Sequence, residues 1–358
     1  MYKSIQAARV AAAVLVVLFH LGAQLALDKI FGVKWIGHIF EFGKAGVDFF
    51  FVLSGFIIIT THRRDLFNPR RFLSYIRKRV IRIYPTYWIV FAAVSLILAT
   101  SPVLREAIPD GYTLARSILL VPQDPAVVGG TGAPVIIVAW SLQWEIAFYT
   151  LIGCFILGRI FAAIAIAFLL VSVVACFNYE CGFPASFFSK QYIMLFALGA
   201  GIALLCGSKI RARYPALILA FGVMTFLAIG VANDFHLFAY GPTSSIAYGL
   251  ASSVIIYGLV KLEDTGTPLG VHRWIQTLGD ASYALYLLHF PIISVLCKLA
   301  IKIGLTGTSG AVISYLPILA SCVAASVVFH LWIEKPMMQY LSASRKTVSD
   351  HRRLDERV

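Results

Sequence analysis

Apolar runs of about 18 to 22 residues recur from one end of the chain to the other, each about the length that crosses a hydrocarbon core at 1.5 Å per residue. The pattern predicts ten spanning helices, near 7–27, 43–61, 83–100, 139–157, 160–177, 191–207, 215–232, 243–260, 281–300 and 312–333. The expected fold class is therefore all-α: a polytopic helical bundle in the membrane over residues 1–336. A charged tail, 337–358, follows with no apolar period and is expected to be disordered, with no soluble catalytic domain appended. Composition agrees, because 59% of the 358 residues are hydrophobic and 13% charged, a balance that a water-soluble domain of this size cannot accommodate.

Charge decides orientation. The net charge of +13 raises nucleic acid as a partner, but the basic residues fall in alternating connections, so no nucleic acid is expected. With the N-terminus in the cytoplasm, 22 of the 30 Lys and Arg residues lie inside, and ten spans return the C-terminus to the same side. A cleaved signal peptide would leave an odd number of spans and spoil this alternation. The expected location is the bacterial cytoplasmic membrane, with lipids as partners. Six scattered cysteines form no zinc-type spacing, so no metal is expected; Cys176 and Cys181 flank one outer connection, where buried apolar thiols are preferred over a disulfide.

Ionisable residues inside the spans carry the functional reading, because a charge in hydrocarbon is costly. The first span holds Arg9 and His20, whose eleven-residue offset leaves them roughly 20° apart around the axis and separated by roughly 16 Å of depth. Asp48 opens the second span, either favoured by the helix N-terminal dipole or serving the site at the depth of His20. Arg79 and Arg82 end the most basic connection and share a helical face, a fork suited to phosphate. Glu145, in Trp140-Ser-Leu-Gln-Trp-Glu145, is read as a catalytic or histidine-orienting acid at outer depth. In the ninth span, Asp280, Ser282 and Tyr283 read as a helix cap, and His289 stands near Pro291, where the helix is expected to kink or open. His289 is either a packing residue or a functional one.

Taken together, Arg9 with ten residues before His20, Gly46-Val-Asp-Phe-Phe-Phe-Val-Leu-Ser-Gly-Phe56, Arg79-Val-Ile-Arg-Ile-Tyr-Pro85, Ser141-Leu-Gln-Trp-Glu145 and Ser282-Tyr-Ala-Leu-Tyr-Leu-Leu-His-Phe-Pro291 resemble the membrane-bound acyltransferase family 3. His62-Arg-Arg-Asp65 and the N-terminal block look most like its exopolysaccharide O-acetyltransferases of the ExoZ type. The resemblance implies transfer of acetyl from cytoplasmic acetyl-coenzyme A to a hydroxyl of a surface carbohydrate or its lipid-linked precursor, with polysaccharide-assembly proteins as partners. It also implies that Arg9 and His20 are essential and that Arg79 and Arg82 serve the donor.

On this reading His20, Glu145 and Asp48 are catalytic, with Glu145 or Asp48 fixing the His20 tautomer. Arg9, Arg79 and Arg82 bind the donor, and Ser54, Tyr283 and His289 serve substrate or site structure. Two rivals stand beside it: a transporter or flippase of lipid-linked sugar, since buried ionisable residues also mark substrate pathways, and a non-catalytic scaffold for polysaccharide assembly.

Overall fold

The computed structural model describes residues 2–100, 108–208 and 212–342. Its described residues are helical with no strand, and ten helices are long and apolar enough to cross a membrane. They are α1 (Lys3–Leu25), α2 (Glu41–His62), α3 (Pro69–Thr100), α4 (Ile137–Leu157), α5 (Arg159–Asn178), α6 (Ala185–Cys206), α7 (Pro215–Asp234), α8 (Pro242–Asp264), α9 (Ser282–Lys302) and α10 (Gly307–Ser342). Each expected span has its helix. The basic residues expected at 209 and 211, the start of the long connection at 101–107, and the tail from 343 onward lie outside the described residues.

Two boundaries differ most, both at helices that run past the apolar window. α3 begins at Pro69, fourteen residues before the expected start at 83, so Arg70 to Arg82 stand on a helix and not in a connection. Proline suits a first helical turn, where its missing N–H costs nothing. α10 likewise continues through Pro336 to Ser342, with one π-helical turn at His330–Glu334. The chain also remains helical through Pro85, Pro291 and Pro317, so α9 does not open at Pro291. Neighbouring helices make an interior proline tolerable in a membrane bundle.

Packing follows from small residues, because lipid tails compete with apolar side chains and leave close van der Waals contact as the main attraction. α2 and α6 are pressed together at Gly55 and Gly199: a Cβ on Gly199 would overlap the Val52 carbonyl, and one on Gly55 the Phe196 carbonyl. α7 and α8 meet in the same way at Gly222 and Gly258. α1 stands in the middle, touching α2, α8, α9 and α10. The buried share of the apolar window is 72% for α2 but 11% for α5, which therefore faces lipid. Cys176 and Cys181 are disulfide-bonded, in place of the separate thiols expected.

The long connection is tied to the bundle by aromatic side chains of α3. Helix Gly111–Ile118, capped by Asp110, ends against them: Tyr87 donates to Ser117 O at 2.7 Å, Trp88 to Ile118 O at 3.0 Å and Tyr84 to Leu119 O at 2.8 Å. These donors satisfy carbonyls that a helix C-terminus leaves unpaired.

Gly199→Val should lower the thermal unfolding midpoint in detergent by an amount equivalent to about 1–3 kcal/mol, the usual cost of overpacking. Gly201→Val, at a position with open space around it, serves as the control and should leave the midpoint unchanged. Equal midpoints for both variants would contradict the close α2–α6 contact.

Candidate active site

The best-formed polar cavity, about 340 Å³, lies among α1, α2, α3, α4 and α9. Arg9, Arg79, Arg82, Glu145, Ser54 and Tyr283 all line it, so six of the nine expected site residues converge in one space. His20, Asp48 and His289 do not line it.

Arg9 is buried and must be compensated there. Its Nη1 donates to Gln6 Oε1 at 3.0 Å, and Gln6 Nε2 donates to Asp280 Oδ1 at 2.5 Å. An amide thus relays the guanidinium to a carboxylate, with Gln6 one helical turn before Arg9 on α1. Asp280 is consequently not the cap expected for α9, whose first residues have no side-chain cap. Gly279 allows the approach, since a Cβ there would come within 2.8 Å of the Gln6 carbonyl.

Arg79 and Arg82 form the expected fork, each held differently. Arg79 Nη2 lies 2.6 Å from His62 Nε2, and His62 Nδ1 lies 2.8 Å from Asp65 Oδ2. A guanidinium only donates, so His62 accepts at Nε2 and donates from Nδ1 to Asp65. The Arg79 guanidinium packs over Tyr75 and Tyr149, and its Nε is buried without a partner. Arg82 packs over Tyr283, whose hydroxyl donates to Ile83 O at 3.0 Å. Both arginines also line a second, more open cavity of about 520 Å³ between α3 and the end of α10, with Arg77, Lys78, Met338 and Leu341. They stand where the two spaces meet.

Glu145 faces these cations, not a histidine. Its carboxylate accepts from Tyr149, and the Arg79 guanidinium lies over the same tyrosine ring at 5.2 Å. Asp48 is buried in another direction: Tyr240 donates to its Oδ2 at 2.5 Å and Ser245 to its Oδ1 at 2.7 Å. Neither expected tautomer-fixing acid reaches His20. The side chain of Asp48 pins α2 to α8 and to the connection before it, with Lys44 over the Tyr240 ring at 4.4 Å. Burial beside the Asp48 carboxylate pushes the Tyr240 phenol well above its ordinary range.

The partner of His20 is His289. His289 Nε2 lies 3.2 Å from His20 Nδ1, His20 Nδ1 also lies 3.0 Å from Val16 O, and His289 Nδ1 lies 3.0 Å from Leu285 O. A carbonyl only accepts, so both Nδ1 atoms carry protons and His289 Nε2 receives the His20 Nδ1–H. The assignment leaves the lone pair of neutral His20 on Nε2. Tyr286 connects this pair to the cavity: it lines the cavity, its ring lies 5.9 Å from that of His289, and its hydroxyl donates to Val138 O and meets Ser141 Oγ at 2.6 Å.

Sequence reasoning missed Gln6, His62, Tyr149, Tyr286 and the buried pair His330–Glu334, 2.7 Å apart. Gln6 was findable as the residue three before a buried arginine. Tyr149 stands four residues after Glu145, His330 four before Glu334 and His62 three before Asp65, so helical spacing could have paired them, whereas Tyr286 meets Ser141 and Val138 only through tertiary contact.

A family model described as an acyltransferase domain matches residues 2–331. The chain belongs to acyltransferase family 3. This acyltransferase is similar to the exopolysaccharide production protein ExoZ of Rhizobium meliloti (strain 1021), 26% identical over 87% of this chain and 94% of that one. It is also similar to the acyltransferase MdmB of Streptomyces mycarofaciens, 24% identical over 90% of this chain and 89% of that one. No solved structure matches it. It is thus a multi-pass membrane enzyme that transfers acyl groups other than aminoacyl groups.

Replacing Tyr240 by Phe together with Ser245 by Ala should lower the unfolding midpoint of the acyltransferase markedly, since each change removes a donor from a buried carboxylate at about 1–3 kcal/mol. Adding Asp48→Asn should return part of that loss. A double variant as stable as the parent would show that Asp48 is not held this way.

Proposed function

We propose that the enzyme moves an acetyl group from acetyl-coenzyme A to a hydroxyl of an exported carbohydrate, such as an exopolysaccharide or its lipid-linked precursor, in the bacterial cytoplasmic membrane. The observation that carries this reading is the meeting of two cavities at Arg79 and Arg82, one lined by further basic residues of α3, the other reaching Tyr286. Arg77, Lys78, Arg79 and Arg82 offer charge-assisted donors to phosphates. The inner cavity, with Ser54 and Tyr283 in its wall, would admit a thin acyl-bearing arm toward the histidine pair. The similarity to ExoZ supports a polysaccharide acceptor, and the positive-inside distribution supports both termini and the basic cavity facing the cytoplasm.

The residues then divide the chemistry. His20 Nε2 takes the proton of the attacking sugar hydroxyl as its oxygen bonds to the acyl carbon, and returns that proton to the departing thiolate. The products are the O-acetyl ester and the free thiol, so atoms and charge balance. The same lone pair equally suits His20 as a transient acyl carrier, with attack by Nε2 first and transfer to the hydroxyl second. In either route His289 holds the reactive tautomer, and Arg9, tethered through Gln6, sits at the donor end.

Purified enzyme supplied with acetyl-coenzyme A and acceptor should release free coenzyme A, whereas a flippase or a scaffold would not. His20→Ala should abolish release, and correctly inserted His20→Ala protein working at the normal rate would overturn the assignment. Arg79→Ala with Arg82→Ala should raise KM for the donor about tenfold to a hundredfold, the worth of one or two charge-assisted hydrogen bonds. His289→Gln should lower kcat with little change in donor KM; a change in KM alone would contradict its role in holding His20.

A further inference from the structure

At the end of the bundle away from the start of α1, the connections α1–α2 and α7–α8 bring together His38, Glu41 and His236. One ligating atom from each lies within 4.8 Å of the other two. His38 Nδ1 and Glu41 Oε2 are 3.5 Å apart, close to the roughly 3.3 Å edge of a tetrahedron whose ligands stand about 2.0–2.1 Å from a zinc ion. The His38 and His236 rings meet edge to face with centroids 5.3 Å apart. His38 and His236 are exposed and Glu41 half-buried, so small rotamer changes bring all three atoms to coordination distance and leave one position open to water. The other Glu41 oxygen pairs with Lys44 at 3.0 Å, which orients the carboxylate without occupying Oε2.

The backbone beneath these side chains is fixed before any ion arrives. Asp234 Oδ1 accepts from Phe42 N at 3.0 Å, tying the end of α7 to the turn that bears Glu41, and the Phe42 ring packs on Gly230. α7 ends in a Schellman turn: His236 N donates to Asn233 O and Leu237 N to Ala232 O, each at 2.9 Å. The residue at the left-handed position of that turn is His236, at φ 56°, where glycine is the unstrained choice. A histidine held there at an energetic cost, with its ring turned to a second histidine and a carboxylate, is explained by use of its imidazole.

We propose that His38, Glu41 and His236 form a zinc site that staples the α1–α2 connection to the α7–α8 connection. Two imidazoles and one carboxylate are a donor set that zinc takes readily, with water completing the tetrahedron. His38 and Glu41 lie nearly two hundred residues before His236, so no local spacing announces the site and the expectation of no metal could not have weighed it. The site lies outside the cavity that holds Arg9, Arg79 and Arg82, and the proposal stands apart from the acetyl-transfer reading.

The test uses full-length protein in detergent, with any purification tag removed and metal stripped by chelator, titrated with zinc chloride. The parent should bind one zinc per chain and unfold at a higher temperature with zinc than with chelator. His38→Ala and Glu41→Gln should each weaken binding by at least about tenfold. His236→Gly is the decisive variant: it removes the imidazole while relieving the left-handed strain, so without zinc it should be at least as stable as the parent, yet gain nothing from zinc. A parent that binds no zinc, or a His236→Gly variant that binds it as tightly as the parent, overturns the proposal.

Discussion

The structure depends on the cost of placing charge inside a membrane bundle, because each buried ion has to find a partner before the helices can settle. Arg9 meets that constraint through Gln6 and Asp280, and in doing so locks the start of α1 against the segment that leads into α9. Asp48 meets it through Tyr240 and Ser245, which locks α2 to α8. Glu145 and Tyr149 meet it opposite Arg79 and Arg82. The same bonds that neutralise the charges therefore set which helices stand beside the cavity, and α1, flanked by four spans, is where these constraints meet.

Glycine contacts act on a different level. Gly55 with Gly199 and Gly222 with Gly258 bring backbones together where no ionisable group is involved. Glycines also set the approach of α2 to α1, where Gly46 faces the Ala12 carbonyl, and of the segment before α9 to Gln6, at Gly279. The cavity wall is made instead of tyrosines: Tyr149, Tyr283 and Tyr286 present apolar rings with hydroxyls already engaged. Such walls carry arginines without offering competing acceptors.

The architecture was legible because hydrophobic length is a one-dimensional property: ten apolar runs became ten helices, and only basic or proline-bearing ends such as Arg70–Arg82 and Lys335–Ser342 were misplaced. Site membership was legible for the cations, since a buried arginine announces itself wherever it falls. Pairing was not. The sequence suggested one depth for His20 and Asp48, but Gly46 packs on Ala12 and Val16, well before His20 on α1, and Asp48 turns to α8 while His20 turns to α9. Glu145 similarly lies within reach of the arginines because α3 starts fourteen residues earlier than its apolar run implies and carries them deep beside α4.

The eleven-residue offset between Arg9 and His20 acquires its meaning from these directions. Both residues stand on one unbroken helix, so their separation is set by helical rise at roughly 16 Å and does not change with side-chain motion elsewhere. Between them α1 presents small and branched apolar residues, Ala12, Ala13, Val16 and Val17, all buried against neighbouring spans. In the proposed reaction, the donor's head is retained by guanidinium groups at one end of this rigid ruler while the acyl carbon is delivered at the other, to a histidine whose tautomer is set by His289.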